Sequence, residues 1–228
     1  VPRRPDVAII AEPTDLDVVV AHKGTVRWHC HTHGRAVHSS KPHLGDNAIY
    51  HMARVVGALE QYARQVPPTL RQHPLCGAVT LSVGTIRGGV SVNTVPDACD
   101  IEIDRRLLPG EDGMSAYRQV IDYIARAVGA DFPLTHEAPY ICSRGLADDR
   151  NQELGQRLAA TVGEVRSRCQ CVGVAYGTDA AQIASFGIPS VVFGPGSIEQ
   201  AHTADEWLSL AELEAASEIL YRFARNYG

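Results

Sequence analysis

The sequence predicts an α/β domain interrupted by an inserted α+β domain of the split βαβ type, and three observations lead there. The middle of the chain reads strand, helix, strand, strand, helix, strand, an order that makes a small sheet with two helices on one face. After about residue 138, strands, loops and helices alternate as in an α/β layer. Ahead of both, the apolar run at residues 7–11 reads as a buried strand. The outer segments 1–21 and 139–228 are therefore expected to form one domain, with 22–138 as the insertion.

Each element has its own warrant. Residues 7–11 and 16–21 read as short strands split by a Pro-containing turn. "TVRWHCHTHG" alternates and is rich in strand formers, which predicts a strand over 25–33. From Asn47 to Val66 the apolar residues Ile49, Met52, Val56, Leu59, Ala63 and Val66 step by three and four. That is an amphipathic helix, ended by Pro67 and Pro68. "AVTLSVGTI" is a further strand. "DACDIEIDRRL" puts Cys99, Ile101 and Ile103 on one face and acids on the other, as in a half-buried antiparallel strand. A second helix follows "PGEDG", with Met114, Tyr117, Ile121, Ile124 and Val128 on its stripe, and a strand is expected near 131–136. A helix near 149–162 leads to "CVGVAYGTDAAQIASFG" and to "IPSVVFGPG", a buried strand ending in glycines. The last helix, 210–226, opens with the capping box Ser209-Leu-Ala-Glu212.

Composition narrows the function classes. In 228 residues, 45% are hydrophobic and 21% charged, as in an ordinary globular protein. A formal charge of −5, with basic residues only in pairs such as Arg3-Arg4 and Arg105-Arg106, argues against nucleic acid or an acidic membrane as partner. No apolar stretch approaches the roughly 18 residues of a membrane helix, and no charged-then-apolar leader opens the sequence. The six cysteines are scattered through apolar segments, which suits buried thiols in a reducing compartment; a cytoplasmic location is expected. Cys169-x-Cys171 lacks C-x-x-C spacing.

Five places could carry chemistry. Glu12, held extended by Pro13, is either a turn residue or a carboxylate aimed into the crevice at the carboxyl ends of the strands. His202, after a Gly-Pro-Gly loop, is either a metal ligand or a loop histidine, with Asp205 and Glu206 beside it. Thr178 and Asp179 in "YGTDAAQ" either cap a helix or hold an anionic group at its N-terminus. His29, His31 and His33 share one strand face, which reads as solvated, with Trp28, Cys30 and Thr32 turned to the helices; a zinc site is the rival. His38 stands apart beyond Gly34. Nucleophile-elbow and phosphate-loop patterns are absent.

Taken in order, these signals form a pattern. The sequence carries Glu-Pro-Thr, Gly-x-x-x-His-Ser-Ser-x-Pro-x-x-Gly-x-Asn-Ala, Gly-Gly-x-x-x-Asn-x-x-Pro, Leu-Pro-Gly, Gly-Thr-Asp-Ala and a late His. This series resembles the M20 metallopeptidase family, which includes acetylornithine deacetylase, succinyl-diaminopimelate desuccinylase, aminoacylase and the glutamate carboxypeptidases. The resemblance covers essentially the whole chain, and "HSSKPHLGDNAI" (38–49) is its most specific stretch.

The resemblance implies a catalytic α/β domain with two zinc ions, cobalt or manganese being possible substitutes, and an inserted lid that forms a homodimer. It implies hydrolysis of an amide bond in an N-acyl amino acid or small peptide by zinc-activated water. Glu12 matches a terminal ligand of one metal and His202 a ligand of the other. His38 matches the lid histidine that enters the partner's active site and polarises the scissile carbonyl, and Asn93 matches a lid asparagine near the substrate. Arg106 matches the arginine that grips the substrate carboxylate, a task suited to a guanidinium fork. Gly177 and Thr178 match the substrate-positioning loop. In the family a His-x-Asp, a bridging Asp and a Glu-Glu pair precede Glu-Pro-Thr, whereas eleven residues precede Glu12 here and none substitutes for them. The expectation is therefore a C-terminal piece of such an enzyme, one chain of two, or a non-catalytic dimerisation or small-ligand-binding module.

Overall fold

A computed structural model describes residues 4–129 and 131–227, so Arg3 of the Arg3-Arg4 pair lies outside the described residues. In chain order the elements are β1 (Ala8–Ile10), β2 (Val18–His22), β3 (Gly24–His33), α1 (Ala48–Gln65), β4 (Thr80–Gly88), β5 (Ala98–Leu107) and α2 (Gly113–Val128). There follow β6 (Leu134–His136), β7 (Ile141–Ser143), α3 (Gln152–Val165), β8 (Cys171–Val174), α4 (Ala180–Ser185), β9 (Ser190–Val192) and α5 (Leu210–Arg225). They divide into two compact units: Val1–Lys23, Pro74–Cys76 and Arg144–Gly228 in one, Gly24–His73 and Gly77–Ser143 in the other. The domain limits read from the sequence, 22–138 for the insertion, differ because β7 pairs with β3 and so stays in the second unit.

In the first unit four strands run in the order β1-β9-β2-β8. β1 is parallel to β9 and β2 to β8, while β2 meets β9 antiparallel at Val19 and Val192. All five residues of β2 are buried, as a strand covered on both faces requires. Val18, Val20, Val191 and Phe193 pack with Leu154, Leu158 and Val162 of α3 and Ala216, Ile219 and Phe223 of α5. Val19 and Val192 face the other way, onto Leu146 and onto Ala180 and Ala181 of α4. This is the two-sided layer the alternation predicts.

The second unit has the antiparallel order β4-β5-β3-β6, with β7 also on β3. β3 alternates along its whole length, and Val26, Trp28 and Cys30 face the core. Ile101, Ile103 and Leu107 of β5 join them against Met52, Val55, Leu59 and Tyr62 of α1. The Trp28 ring meets Tyr117 edge-on at 5.2 Å, the geometry the ring quadrupoles favour. Asn47 caps α1, its side chain accepting from the Ile49 and Tyr50 amides at 3.0 and 3.3 Å.

Two expectations need correction. The buried side of α2 is Gly113, Ala116, Val120, Ile124 and Val128, while Met114 is 36% exposed. The stripe is rotated because the helix starts hard against β7: a Cβ on Gly113 would lie 2.5 Å from Cys142 Sγ. All six cysteines are free, yet only Cys30, Cys76 and Cys99 are buried; Cys142 and Cys171 are exposed. Arg105 lies on the core face of β5, fully buried, because its guanidinium reaches Glu111 at 2.5 Å. The second oxygen of Glu111 accepts from the Leu108 amide at 2.9 Å, so the pair closes the Leu-Pro-Gly turn. Burial works to lower the Arg105 pKa, but the bond to Glu111 and its charge hold it above the usual value.

No helix among the described residues is long and apolar enough to cross a membrane.

Removing Glu111 leaves the Arg105 charge buried without its partner. We expect Glu111→Ala to cost about 3–5 kcal/mol in urea unfolding. Arg105→Met combined with Glu111→Ala should recover most of that loss.

Candidate active-site residues

The parallel pairing of β1 with β9 brings two loops together at one strand end. Glu12 stands two residues beyond β1, and Gly194 two beyond β9. Thr14 joins them: its hydroxyl donates to the Asp17 carbonyl at 2.7 Å and accepts from the Gly194 amide at 3.1 Å. The Leu16 and Asp15 amides donate to the carbonyls of Gly194 and Gly196 at 3.1 and 2.8 Å. Residue 194 must be glycine, since a Cβ there would sit 2.6 Å from the Glu12 carbonyl oxygen. Glu12 is half-buried at this mouth. Tyr176 lies close by, with its Oη 3.4 Å from the Pro13 carbonyl. Burial first, then the charges of Glu12 and Asp15, push its phenol pKa up. Sequence reading passed over Tyr176, although it abuts the Gly-Thr-Asp motif.

His202 occupies an exposed turn with a φ of 62°, unusual for a non-glycine residue. The loop before it is tethered to α5, since Glu212 accepts from the Gly196 amide at 2.8 Å. Ser209 caps α5 by accepting from the Glu212 amide, so Glu212 spends its own carboxylate on the loop rather than on closing the expected capping box.

Ahead of α4, Thr178 rather than Asp179 supplies the side-chain cap, accepting from the Ala180 amide at 3.1 Å. Gly177 beside it is exposed.

In the second unit His38 and Asn93 come together. Their segments pair as short antiparallel strands: the Ser39 amide donates to the Asn93 carbonyl at 2.9 Å, and the Val95 amide to the Val37 carbonyl at 2.8 Å. His38 Nδ1 accepts from the Ser40 amide at 3.2 Å and lies 2.8 Å from the Ser40 hydroxyl. An amide can only donate, so Nδ1 is the acceptor and the ring proton sits on Nε2. Asn93 Oδ1 accepts from Ser91 Oγ at 2.5 Å, which leaves the amide nitrogen to donate outward. Beside them lies a cavity of about 610 Å3 lined by Ser39, Pro42, Tyr50, Ser91 and Val92. Arg106 is not in this group. It lies near the far end of β5, paired with Asp104 at 3.1 Å.

His29, His31 and His33 do line the outer face of β3, opposite buried Trp28, Cys30 and Thr32. His31 bonds Asp100 at 2.6 Å and Glu137 at 3.0 Å, and its pKa is raised, first by the bond to Asp100. Among the described residues no group of three or more His, Cys, Asp or Glu side chains could hold a metal ion. Glu12 and His202 alone are too few donors for a zinc site, which takes at least three protein ligands. The donor set among the described residues therefore does not by itself fit a metal pair.

The chain combines a four-stranded α/β unit with a ferredoxin-like unit that carries paired His38 and Asn93 loops. Residues 20–131 match the peptidase dimerisation domain family of the M20 group, and this stretch of the chain belongs to that family. It is 32% identical over 240 residues to an acetylornithine deacetylase of Vibrio atlanticus, covering 99% of this chain and 59% of the relative. It is 32% identical over 224 residues to a putative succinyl-diaminopimelate desuccinylase of Mycobacterium tuberculosis, covering 96% and 58%. The chain thus spans under three-fifths of these curated relatives. Among solved structures, an M20 metallo-carboxypeptidase of Sulfolobus solfataricus superposes with a TM-score of 0.72 at 14% identity, over 97% of this chain and 62% of that one. A tripeptidase of Staphylococcus aureus gives 0.70 at 24% identity, over 98% and 58%. At these identities the structures establish the fold.

The histidines outside the candidate loops set a pH dependence. His136 is pushed down from 6.5 to about 4 by burial and by its neighbour His31, and its Nδ1 is buried without a hydrogen bond. A depressed imidazole favours the neutral folded form, so its contribution is present above pH 6.5 and is lost as pH falls toward about 4. His31 acts oppositely, contributing below its ordinary value and losing that contribution as pH rises through its raised one. Thermal melts should fall more steeply between pH 6.5 and 4 in the native chain than in His136→Gln.

Proposed function

We propose that this chain is the lid-bearing part of an M20 hydrolase that cleaves the amide bond of an N-acyl amino acid or small peptide, and that it works as a homodimer through the lid. The observation that carries the reading is the pairing of the His38 and Asn93 loops. It leaves the Nε2–H of His38 and the amide N–H groups of Asn93 free to donate, as stabilisation of a developing oxyanion requires.

Distance along the sheet supports action across a dimer. Arg106 follows Ala98 by eight residues on β5, about 27 Å at 3.4 Å per residue. One small substrate cannot touch both ends of that strand. If Arg106 grips its carboxylate while His38 and Asn93 meet its carbonyl, the two ends come from different protomers. Glu12 and His202 are then one donor each toward a divalent metal centre, zinc with cobalt or manganese as substitutes. Its other donors are not among the described residues.

The polypeptide encoded by the whole reading frame, assayed with N-acetyl and N-succinyl amino acids, should release free amine in a chelator-sensitive manner. His38→Ala should lower kcat by about 100- to 1,000-fold. Mixing His38→Ala with Glu12→Gln protein should restore part of the activity through mixed dimers, and no recovery would sink the trans assignment. The small number of metal donors favours a second reading, a non-catalytic dimerisation or small-ligand-binding module. A dimer with no hydrolysis and no bound metal in the whole polypeptide would support it.

A further inference from the structure

His22 ends β2 with its side chain fully buried, an uncommon place for an imidazole unless both ring nitrogens are satisfied. Nδ1 lies 2.9 Å from the Lys23 carbonyl, which can only accept, so this nitrogen carries the proton. Burial, the largest influence, holds the His22 pKa below its ordinary value, so the ring is neutral and Nε2 is an acceptor. Two donors of Thr178 face Nε2: the backbone amide at 3.3 Å and the hydroxyl at 3.2 Å. That same hydroxyl accepts from the Ala180 amide at 3.1 Å. One proton direction satisfies every contact: Ala180 N–H to Thr178 Oγ, Thr178 O–H to His22 Nε2, His22 Nδ1–H to Lys23 C=O.

We propose that His22 is a positioning residue for the Gly177–Thr178 loop, which turns both donors of Thr178 inward and leaves its hydroxyl only a lone pair to offer a ligand. The sequence raised a hydroxyl and free backbone N–H groups holding an anionic group here; on this proposal the Thr178 hydroxyl and amide are not among those donors. The group that Thr178 receives is an N–H donor, an ammonium or an amide nitrogen. A carboxylate brought to Thr178 would meet an acceptor. This inference rests on the reading of Gly177 and Thr178 as the ligand-positioning loop.

Two measurements test it separately. In this chain, nitrogen NMR of the imidazole should show Nδ1 protonated and Nε2 bare at neutral pH, and His22→Leu should shift the Thr178 amide. A ring protonated on Nε2, or on both nitrogens, would overturn the proposal, as would an unmoved Thr178 amide. In the whole polypeptide, His22→Leu should raise KM for an amine-bearing N-acyl substrate about tenfold, the worth of roughly one neutral hydrogen bond, with kcat little changed. His22→Gln, which can again present an acceptor, should recover most of it. The KM of a matched substrate lacking the amine should move much less. Equal KM changes for both substrates, or no rescue by Gln, would overturn the assigned polarity. If Thr178→Val leaves KM unchanged while the NMR signature holds, it is the loop's role in ligand binding that fails, not its coupling to His22.

Discussion

The candidate site depends on three consecutive backbone pairings, Ala8 with Ser190, Ile9 with Val191 and Ile10 with Val192. Between these strands the chain leaves the α/β layer, builds an entire second unit and returns. Parallel pairing means that both strands end on the same side, so the Glu-Pro-Thr and Gly-Pro-Gly loops are delivered together without any residue being chosen for long-range reach. Thr14 and Gly194 then hold the two loops in contact, one by its hydroxyl and the other by lacking a side chain. The cost of closing so long a loop grows only slowly with its length. A second unit with its own core is therefore compatible with a short parallel pair.

Three buried polar side chains help to hold loops in one shape. Thr14, His22 and Arg105 are each buried; the first two bond to loop backbone, beside Glu12 and before α4, and Arg105 reaches the Leu-Pro-Gly turn through Glu111. Glu111 itself holds the Leu108 amide. An apolar residue at any of the three would pack but would not select a loop conformation. The apolar clusters hold the helices on the sheets, while these few polar contacts shape the segments that could meet a ligand.

Much of this was legible from local pattern. The alternation of β3 announced which side of His29, His31 and His33 is wet, because side-chain period two leaves no freedom once Trp28 is buried. The three-and-four stepping from Ile49 to Val66 located α1, which Asn47 caps. What escaped were features set by partners distant in sequence. β7 is three residues long and exists only because β3 offers it an edge. The rotation of α2 follows from Cys142 pressing on Gly113, 29 positions earlier. The alternation of β5 puts Arg105 on the side of Cys99, Ile101 and Ile103, but nothing local says that Glu111 will fold back to partner it. At the site, spacing located the Gly-Thr-Asp loop but not the direction of its protons, which His22 decides from a strand some 150 residues upstream.

The ten-pair register of β3 with β5 also constrains how this gene can change. A single-residue insertion or deletion between Cys99 and Arg105 would exchange the two faces of one part of β5. It would drive some of Asp100, Glu102 and Asp104 toward the apolar interior and displace either Arg105 or Arg106 from its side of the sheet. Two-residue changes preserve the facing but lengthen or shorten the span from Ala98 to Arg106. Length variation among descendants of this sequence should therefore collect in the turns that bound β5, leaving the strand itself as a fixed spacer.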